Sequence, residues 1–511
     1  MECSEYCTPL RQVYLMKLAV HTAANSPHHT TSPHPTPVMN TIEQLKALSE
    51  IIQTSIQRIE EATSSHSLSL SSLDTPVSAE TLEAAYALPD VVAAGVFITA
   101  AAGQLTSIVR PPAMTVLNYA MQFHVSTAIG TAVETYVAEI LRDAGPEGLH
   151  AEAIAKYSGV DFKKLARVLR LLATNHVFRE VSPDVFAQNR LSSILDSGKS
   201  VESMIKSPET RFTGTLGVTA TIGHVTDEAF KASAYLTETL LDPVYGASGR
   251  PDQTAFSKAF NTDVDMWQLY ESPGNAHRLV RFGSAMDGFK NMSPPNAILE
   301  GFDWSGLSEG SLVVDVGGGI GAHSLTLAKN HPHLKFIVQD REAVVKNGLK
   351  YWNQQLPGAI ESKQVQLQAH SFFDPQPVTT AAVFLIRMIL HDWSDDYCVK
   401  ILRHLRAAAT ADTRLVVVDQ IMSYACDEDT VKDIPGAVHP PPPAPLLPNL
   451  GHASLISYYT DHQMLGLFNA QERTLTQAKE LLAQGGWKII AVNHGAAHFG
   501  FSTQKTIAVP V

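Results

Sequence analysis

Leu312-Val313-Val314-Asp315-Val316-Gly317-Gly318-Gly319-Ile320-Gly321 runs from a short apolar stretch into four glycines, and helical character resumes over Ala322–Lys329. Strand, glycine turn and helix in that order form the opening unit of a parallel α/β sheet. Further short β-branched runs follow at Lys335–Gln339, Val365–Ala369, Ala382–Ile386, Leu415–Val418, Trp487–Val492 and Thr503–Val509. Only His494–Gly500 separates the last two, which leaves no room for a crossover helix, so they are expected to pair antiparallel. The prediction is a Rossmann-like α/β sheet of seven strands with the last one reversed, occupying 301–511. Between strands five and six lies a Pro-rich insertion, 426–449, with the run Pro440–Pro443 and then Pro445. Its composition reads as an extended, water-exposed loop, either a lid or a plain surface segment.

Upstream of the sheet the pattern is helical. Residues 1–40 show no apolar periodicity and read as a disordered tail. From Ile42 to Ile59 apolar residues recur at three- and four-residue steps, an amphipathic helix. A Ser-rich connector, Thr63–Ser72, follows, and Ala79–Leu141 is largely helical. Within it Val91–Val109 is about as long as a membrane span, but its alanines, Gln104, Thr106 and Ser107 favour a buried helix, with a subunit interface as one place for it. Gly148–Ala155, a turn at Ser158–Val160, the helix Phe162–Thr174 and short strands at Val177–Val181 and Val185–Ala187 make a winged helix. Helices continue through 206–300.

Length and charge narrow the function. A chain of 511 residues holds two or three domains. Its net charge of −12 repels phosphate backbones, which argues against nucleic acid as a partner even with Lys163, Lys164, Arg167 and Arg170 on the winged helix. Four cysteines, Cys3, Cys7, Cys398 and Cys426, are too few for a disulfide framework and suit a reducing, cytoplasmic setting. Charges break every N-terminal apolar run, so no signal peptide and no membrane partner are expected.

Two places carry chemistry. Glycines let a ligand approach the main chain, and Asp315, two residues ahead of Gly317, repels a pyrophosphate while attracting the cationic amino-acid end of S-adenosylmethionine. Asp340 closes the second strand, where a carboxylate accepts ribose hydroxyls. Gly317, Gly319 and Ala322 also satisfy the dinucleotide spacing, so the loop by itself leaves a nicotinamide cofactor open. The fourth strand runs on into Arg387-Met388-Ile389-Leu390-His391-Asp392-Trp393. Strand carboxyl ends face the crevice of an open α/β sheet, so His391 is placed to reach a substrate beside the cofactor. A phenol, with a pKa of about 10, is mostly protonated at neutral pH. An imidazole that takes this proton contributes roughly 10²–10⁴ in rate. Such a base needs a partner on its other nitrogen. Asp419, at the end of the fifth strand, and Glu472 are the two candidates; the alternative for Glu472 is a solvated helix-start carboxylate paired with Arg473.

The segments Val314–Gly321, Ile386–Asp396, Val416–Met422 and Asn469–Thr474 together resemble the S-adenosylmethionine-dependent small-molecule O-methyltransferases, of the plant caffeate and fungal polyketide kinds. The resemblance spans roughly Ala79 to the C-terminus. It implies an α-helical, winged-helix dimerisation domain over 41–205, a homodimer, a helical connector over 206–300 lining the acceptor pocket, and a donor-binding catalytic domain over 301–511. It implies His391 as general base flanked by Asp419 and Glu472, with no metal. Gly317, Gly319 and Asp315 would hold the methionine part, Asp340 the ribose, and Phe372 and Arg387 the adenine. Asp392 would lie near the acceptor hydroxyls, and Phe282, Met286, Met388, Met464 and Asn469 would wall the acceptor, a phenolic small molecule. Two departures stand out: plant members usually carry Glu where Asp419 stands, and they lack the Pro-rich insertion. The rival readings are a pericyclase on the same fold, a nicotinamide oxidoreductase and a winged-helix regulator that senses the cofactor.

Overall fold

The structure, a computed structural model, describes residues 39–77, 84–291, 296–438, 440–494 and 503–511. Residues 1–38 of the expected tail, with Cys3 and Cys7, lie outside them.

The catalytic sheet has seven strands: β1 (Leu312–Val316), β2 (Lys335–Asp340), β3 (Val365–Ala369), β4 (Val383–Arg387), β5 (Arg414–Asp419), β6 (Trp487–His494) and β7 (Gln504–Pro510). Their order across the sheet is β6-β7-β5-β4-β1-β2-β3. The neighbours among β1 to β5 pair parallel, whereas β7 runs antiparallel to both β5 and β6, as the short connection required. Val313, Val314, Val383, Phe384, Leu385 and Ile386 are fully buried, which explains the continuous apolar runs: helices cover both faces. One face packs against Leu402, Leu405, Leu481 and Leu482, the other against Trp304, Leu327 and Trp352.

The sequence boundaries hold closely in the winged helix. Helix Phe162–Thr174 starts where Asp161 accepts the Lys164 N–H (3.0 Å), and it buries Leu165, Ala166, Leu169 and Leu172. Its strands are Leu149–His150, Arg179–Ser182 and Val185–Ala187. Arg170, one of the basic residues that suggested a nucleic-acid face, is engaged internally with Glu180 and Asp184 (both 2.7 Å).

At the start of helix Thr41–Ser65, Asn40 and Glu43 exchange backbone-to-side-chain hydrogen bonds of 2.9 and 3.0 Å, a reciprocal cap. Residues Gln44–Val511 form one unit.

One expectation is met in part and another needs correction. The apolar segment is a helix, Pro89–Val109, and the one described helix long and apolar enough to cross a membrane, but only 28% of its apolar window is buried. Within this chain it buries Val91, Val92, Ala94, Ala100 and Ala101 and leaves the rest of its surface exposed or half-buried. The Pro-rich insertion is not simply water-exposed. Val431 and Ile434 are buried against the sheet core, and Leu446 packs with Leu48, Ala100 and Ala101. Gln104 donates to the Pro445 carbonyl (2.8 Å), and at Gly103 a Cβ would stand 2.3 Å from the His452 ring. Asn449 at its end donates to Tyr458 Oη (2.8 Å) in helix Leu455–Phe468, so the insertion straps the N-terminal helices to that helix.

Candidate active site

The glycine loop leaves β1 with positive φ at Gly317 (70°) and Gly319 (61°), a conformation that L side chains rarely adopt. A Cβ on Gly317 would also stand 2.7 Å from Ile389. Asp315 is buried beneath the loop and accepts from Ser324 Oγ (2.6 Å); burial pushes its carboxyl up to about 6. Asp340, closing β2, accepts the Gly319 N–H (2.9 Å) and the Arg341 N–H (2.7 Å). Phe372 comes close to Gly317 and meets Trp393 edge to face at 6.0 Å. Arg387 closes β4, where burial lowers its pKa against the pull of the Asp315 and Asp419 carboxylates. A bare backbone cradle, an acid at its base, a carboxylate at the second strand end and an aromatic wall fit a donor with an amino-acid, a ribose and an adenine part.

His391 lies in a short 3₁₀ turn, Leu390–Asp392, just past the end of β4. Its Nδ1 is 2.7 Å from Glu472 Oε1 and its Nε2 is 3.4 Å from Asp392 Oδ1. The Glu472 side chain is fully buried against His391, and Arg473 pairs with Asp395 (2.8 Å), so the solvated Glu472–Arg473 pair does not form. Its backbone N–H is held by Asp461 Oδ1 (2.9 Å) from helix Leu455–Phe468. Of the two carboxylates that could orient the ring, Glu472 makes the contact. Asp419 turns instead to the Met388 N–H (2.9 Å), which the Val418 carbonyl also accepts (3.0 Å). Its short side chain is spent holding Met388, whose φ of 50° turns the chain towards His391.

These charges set the proton balance. Burial by itself would lower the pKa of His391, but Asp392, Glu472 and Asp419 outweigh it and push it up to about 10. Burial raises Asp392 and Asp419 to about 6. With these carboxylates around it, the His391 ring keeps its proton at neutral pH.

The expected acceptor walls divide. Phe282 stacks edge-on against Trp267 (5.0 Å) and His224 (5.4 Å) and packs in the cluster that includes Met464. Met286, one helical turn on, is 40% exposed. Asn469 caps its helix with φ 55° and spends its amide N–H groups on the carbonyls of Arg250 (2.9 Å) and Gln253 (2.8 Å), tethering that loop. Sequence reasoning missed Arg473, Cys398 and Asp461, which hold the backbone around His391 and Glu472. The motif Asn469–Thr474 contained one of them, but nothing in a linear sequence says which way Arg473 points.

An O-methyltransferase domain model matches residues 238–435, and an O-methyltransferase dimerisation domain model matches residues 117–197. An O-methyltransferase of Armillaria gallica is 43% identical over 91% of this chain and 99% of its own length. The 4-O-methyltransferase 1 of Phanerochaete chrysosporium is 41% identical, with the same coverage of 91% and 99%. Among solved structures, the mitomycin 7-O-methyltransferase MmcR superposes with a TM-score of 0.57 at 24% identity, covering 78% of this chain and 98% of its own. A pericyclic reaction enzyme superposes with a TM-score of 0.60 at 19% identity, covering 91% and 100%. At such identities these two likenesses concern the fold.

Proposed function

Because this chain belongs to the S-adenosylmethionine-dependent O-methyltransferases, we propose that it methylates a phenolic hydroxyl of a small molecule, with His391 as the base at the reacting oxygen. The observation that carries this reading is the His391 imidazole held through Nδ1 by buried Glu472 at 2.7 Å, with Nε2 on the opposite edge beside Asp392.

Bound S-adenosylmethionine supplies a methyl group on a cationic sulfur. Gly317, Gly319, Asp315, Asp340, Phe372 and Arg387 would hold it. Glu472 fixes the ring orientation and the Nδ1 proton, so that Nε2 is the nitrogen that exchanges protons with the acceptor. The productive form carries a neutral imidazole. A base whose conjugate acid lies at about 10 matches a phenol of about 10, so the proton moves between them with little free-energy change. Asp392 accepts a hydrogen bond from the acceptor, and Met388 with the Phe282–Met464 cluster lines an apolar wall that keeps water from the oxygen. Positioning within that dry pocket supplies much of the acceleration. Residues 41–205 we assign to homodimer formation, 206–300 to the acceptor side and 301–511 to donor binding. Asp419 acts by holding Met388.

The test is His391→Ala. Turnover of a phenolic acceptor should fall at least about a hundredfold while S-adenosylhomocysteine still binds. Normal turnover in that variant would remove the assignment. Release of S-adenosylhomocysteine in step with product separates methyl transfer from a pericyclic reaction on the same fold, which would leave the donor unconsumed.

A further inference from the structure

Glu472 and Arg473 are neighbours in an extended segment, where successive side chains point to opposite sides. The segment is pinned by parallel pairing of Arg473–Thr474 with Ile421–Met422. Glu472 meets the His391 ring, and Arg473 turns under the backbone that carries it. The Arg473 guanidinium donates from Nη1 to the Leu390 carbonyl (2.7 Å) and from Nη2 to the Trp393 carbonyl (2.9 Å). Nε and Nη2 also reach Asp395 Oδ1 at 3.0 and 2.8 Å. The two carbonyls bracket His391 and Asp392, the one preceding the pair and the other following it. Cys398 Sγ approaches the same carbonyls at 3.2 and 3.3 Å.

The turn needs such support. Its own hydrogen bonds, Asp392 N–H to the Ile389 carbonyl and Trp393 N–H to the Leu390 carbonyl, are 3.1 and 3.4 Å long, as expected of poor 3₁₀ geometry. The Arg473 side chain is only 7% exposed. A buried guanidinium is costly unless its donors are used, and here its planar fork spans three acceptors that a single ammonium could not.

We propose that Arg473 is a positioning residue for the reaction: by gripping the Leu390 and Trp393 carbonyls it sets the His391 ring against Glu472, the residue next to it in the chain. The inference rests on His391 being the base. It assigns Arg473 no contact with donor or acceptor.

The experiment compares Arg473→Lys and Cys398→Ala with the parent and with His391→Ala. Readouts are kcat at saturating donor and acceptor, affinity for S-adenosylhomocysteine, and the alkaline limb of the kcat–pH profile. Charged groups facing His391 are Asp392 from its own turn, Asp419 from β5 and Glu472 from the Arg473 segment. Arg473→Lys keeps the charge but loses the fork. We expect kcat to fall about thirtyfold or more, since a misplacement of about 1 Å can cost about 10². S-adenosylhomocysteine affinity should stay within about threefold, because the glycine loop is untouched, and the alkaline limb should move to lower pH as the ring parts from Glu472. Cys398→Ala, which removes the weaker donor, should lower kcat a few-fold and move the limb the same way. A parental kcat and limb in Arg473→Lys overturns the inference. If that variant does not fold, a parental kcat and limb in Cys398→Ala overturns it instead. An active His391→Ala removes the underlying reading, whereas an inactive His391→Ala with a normal Arg473→Lys removes only the clamp.

Discussion

The alkaline limb follows from the proton balance around the base. His391 sits at about 10 in place of its ordinary 6.5. If only neutral imidazole accepts the acceptor's proton, its fraction is about 10⁻³ at pH 7 and about 10⁻¹ at pH 9, so kcat should rise about a hundredfold between them, with a slope of one in the logarithm. Glu472→Gln removes one of the carboxylates that favour the imidazolium. Its limb should therefore move to lower pH, and at pH 7 more of the base is neutral, partly offsetting the poorer ring orientation. The assay is initial-rate formation of S-adenosylhomocysteine from pH 6.5 to 10, run with two phenols whose own pKa values differ by about two units. A limb belonging to His391 stays in place when the acceptor changes and moves in Glu472→Gln; a limb belonging to the phenol does the reverse. A flat profile between pH 7 and 9 in folded enzyme would refute the reasoning, because it would mean that the carboxylates do not hold the proton on the ring.

Other expectations concern the donor cradle and the strap. Gly317→Ala places a Cβ 2.7 Å from Ile389 at a φ of 70° and should weaken S-adenosylhomocysteine binding at least about tenfold by calorimetry. Leu446→Ala empties a buried site between the insertion and the N-terminal helices and should destabilise the chain by about 2–5 kcal/mol in urea unfolding. If the insertion were a free surface loop, that variant would unfold at the parental midpoint.

The strands of the sheet were legible because a strand buried on both faces must be largely apolar, and Leu312–Val316 and Val383–Arg387 are, save for Asp315 and Arg387 near their carboxyl ends. The reversal of β7 followed from the short connection alone. The insertion misled because proline and charge report solvation on average, whereas Val431, Ile434 and Leu446 are the few residues in it that anchor the rest. The helix Pro89–Val109 makes a related point: hydrophobicity is a property of the segment, while burial depends on what lies against it, and this chain by itself covers only part of that helix.

At the site, the sequence by itself determined the kinds of group present: a glycine turn after β1, acids at the ends of β1, β2 and β5, and a histidine past β4. Strand ends in a parallel sheet converge on one crevice whatever the details of packing. Only the tertiary structure decided the pairings among them. Glu472, 81 positions from His391, takes the imidazole at 2.7 Å; Asp419, at the end of the strand next to β4, is spent on the Met388 N–H; and Arg473 grips the turn that carries His391. The physical reason is reach: a hydrogen bond is made or lost within a few tenths of an ångström, and one methylene or one residue of register, invisible in a linear pattern, moves a carboxylate farther than that.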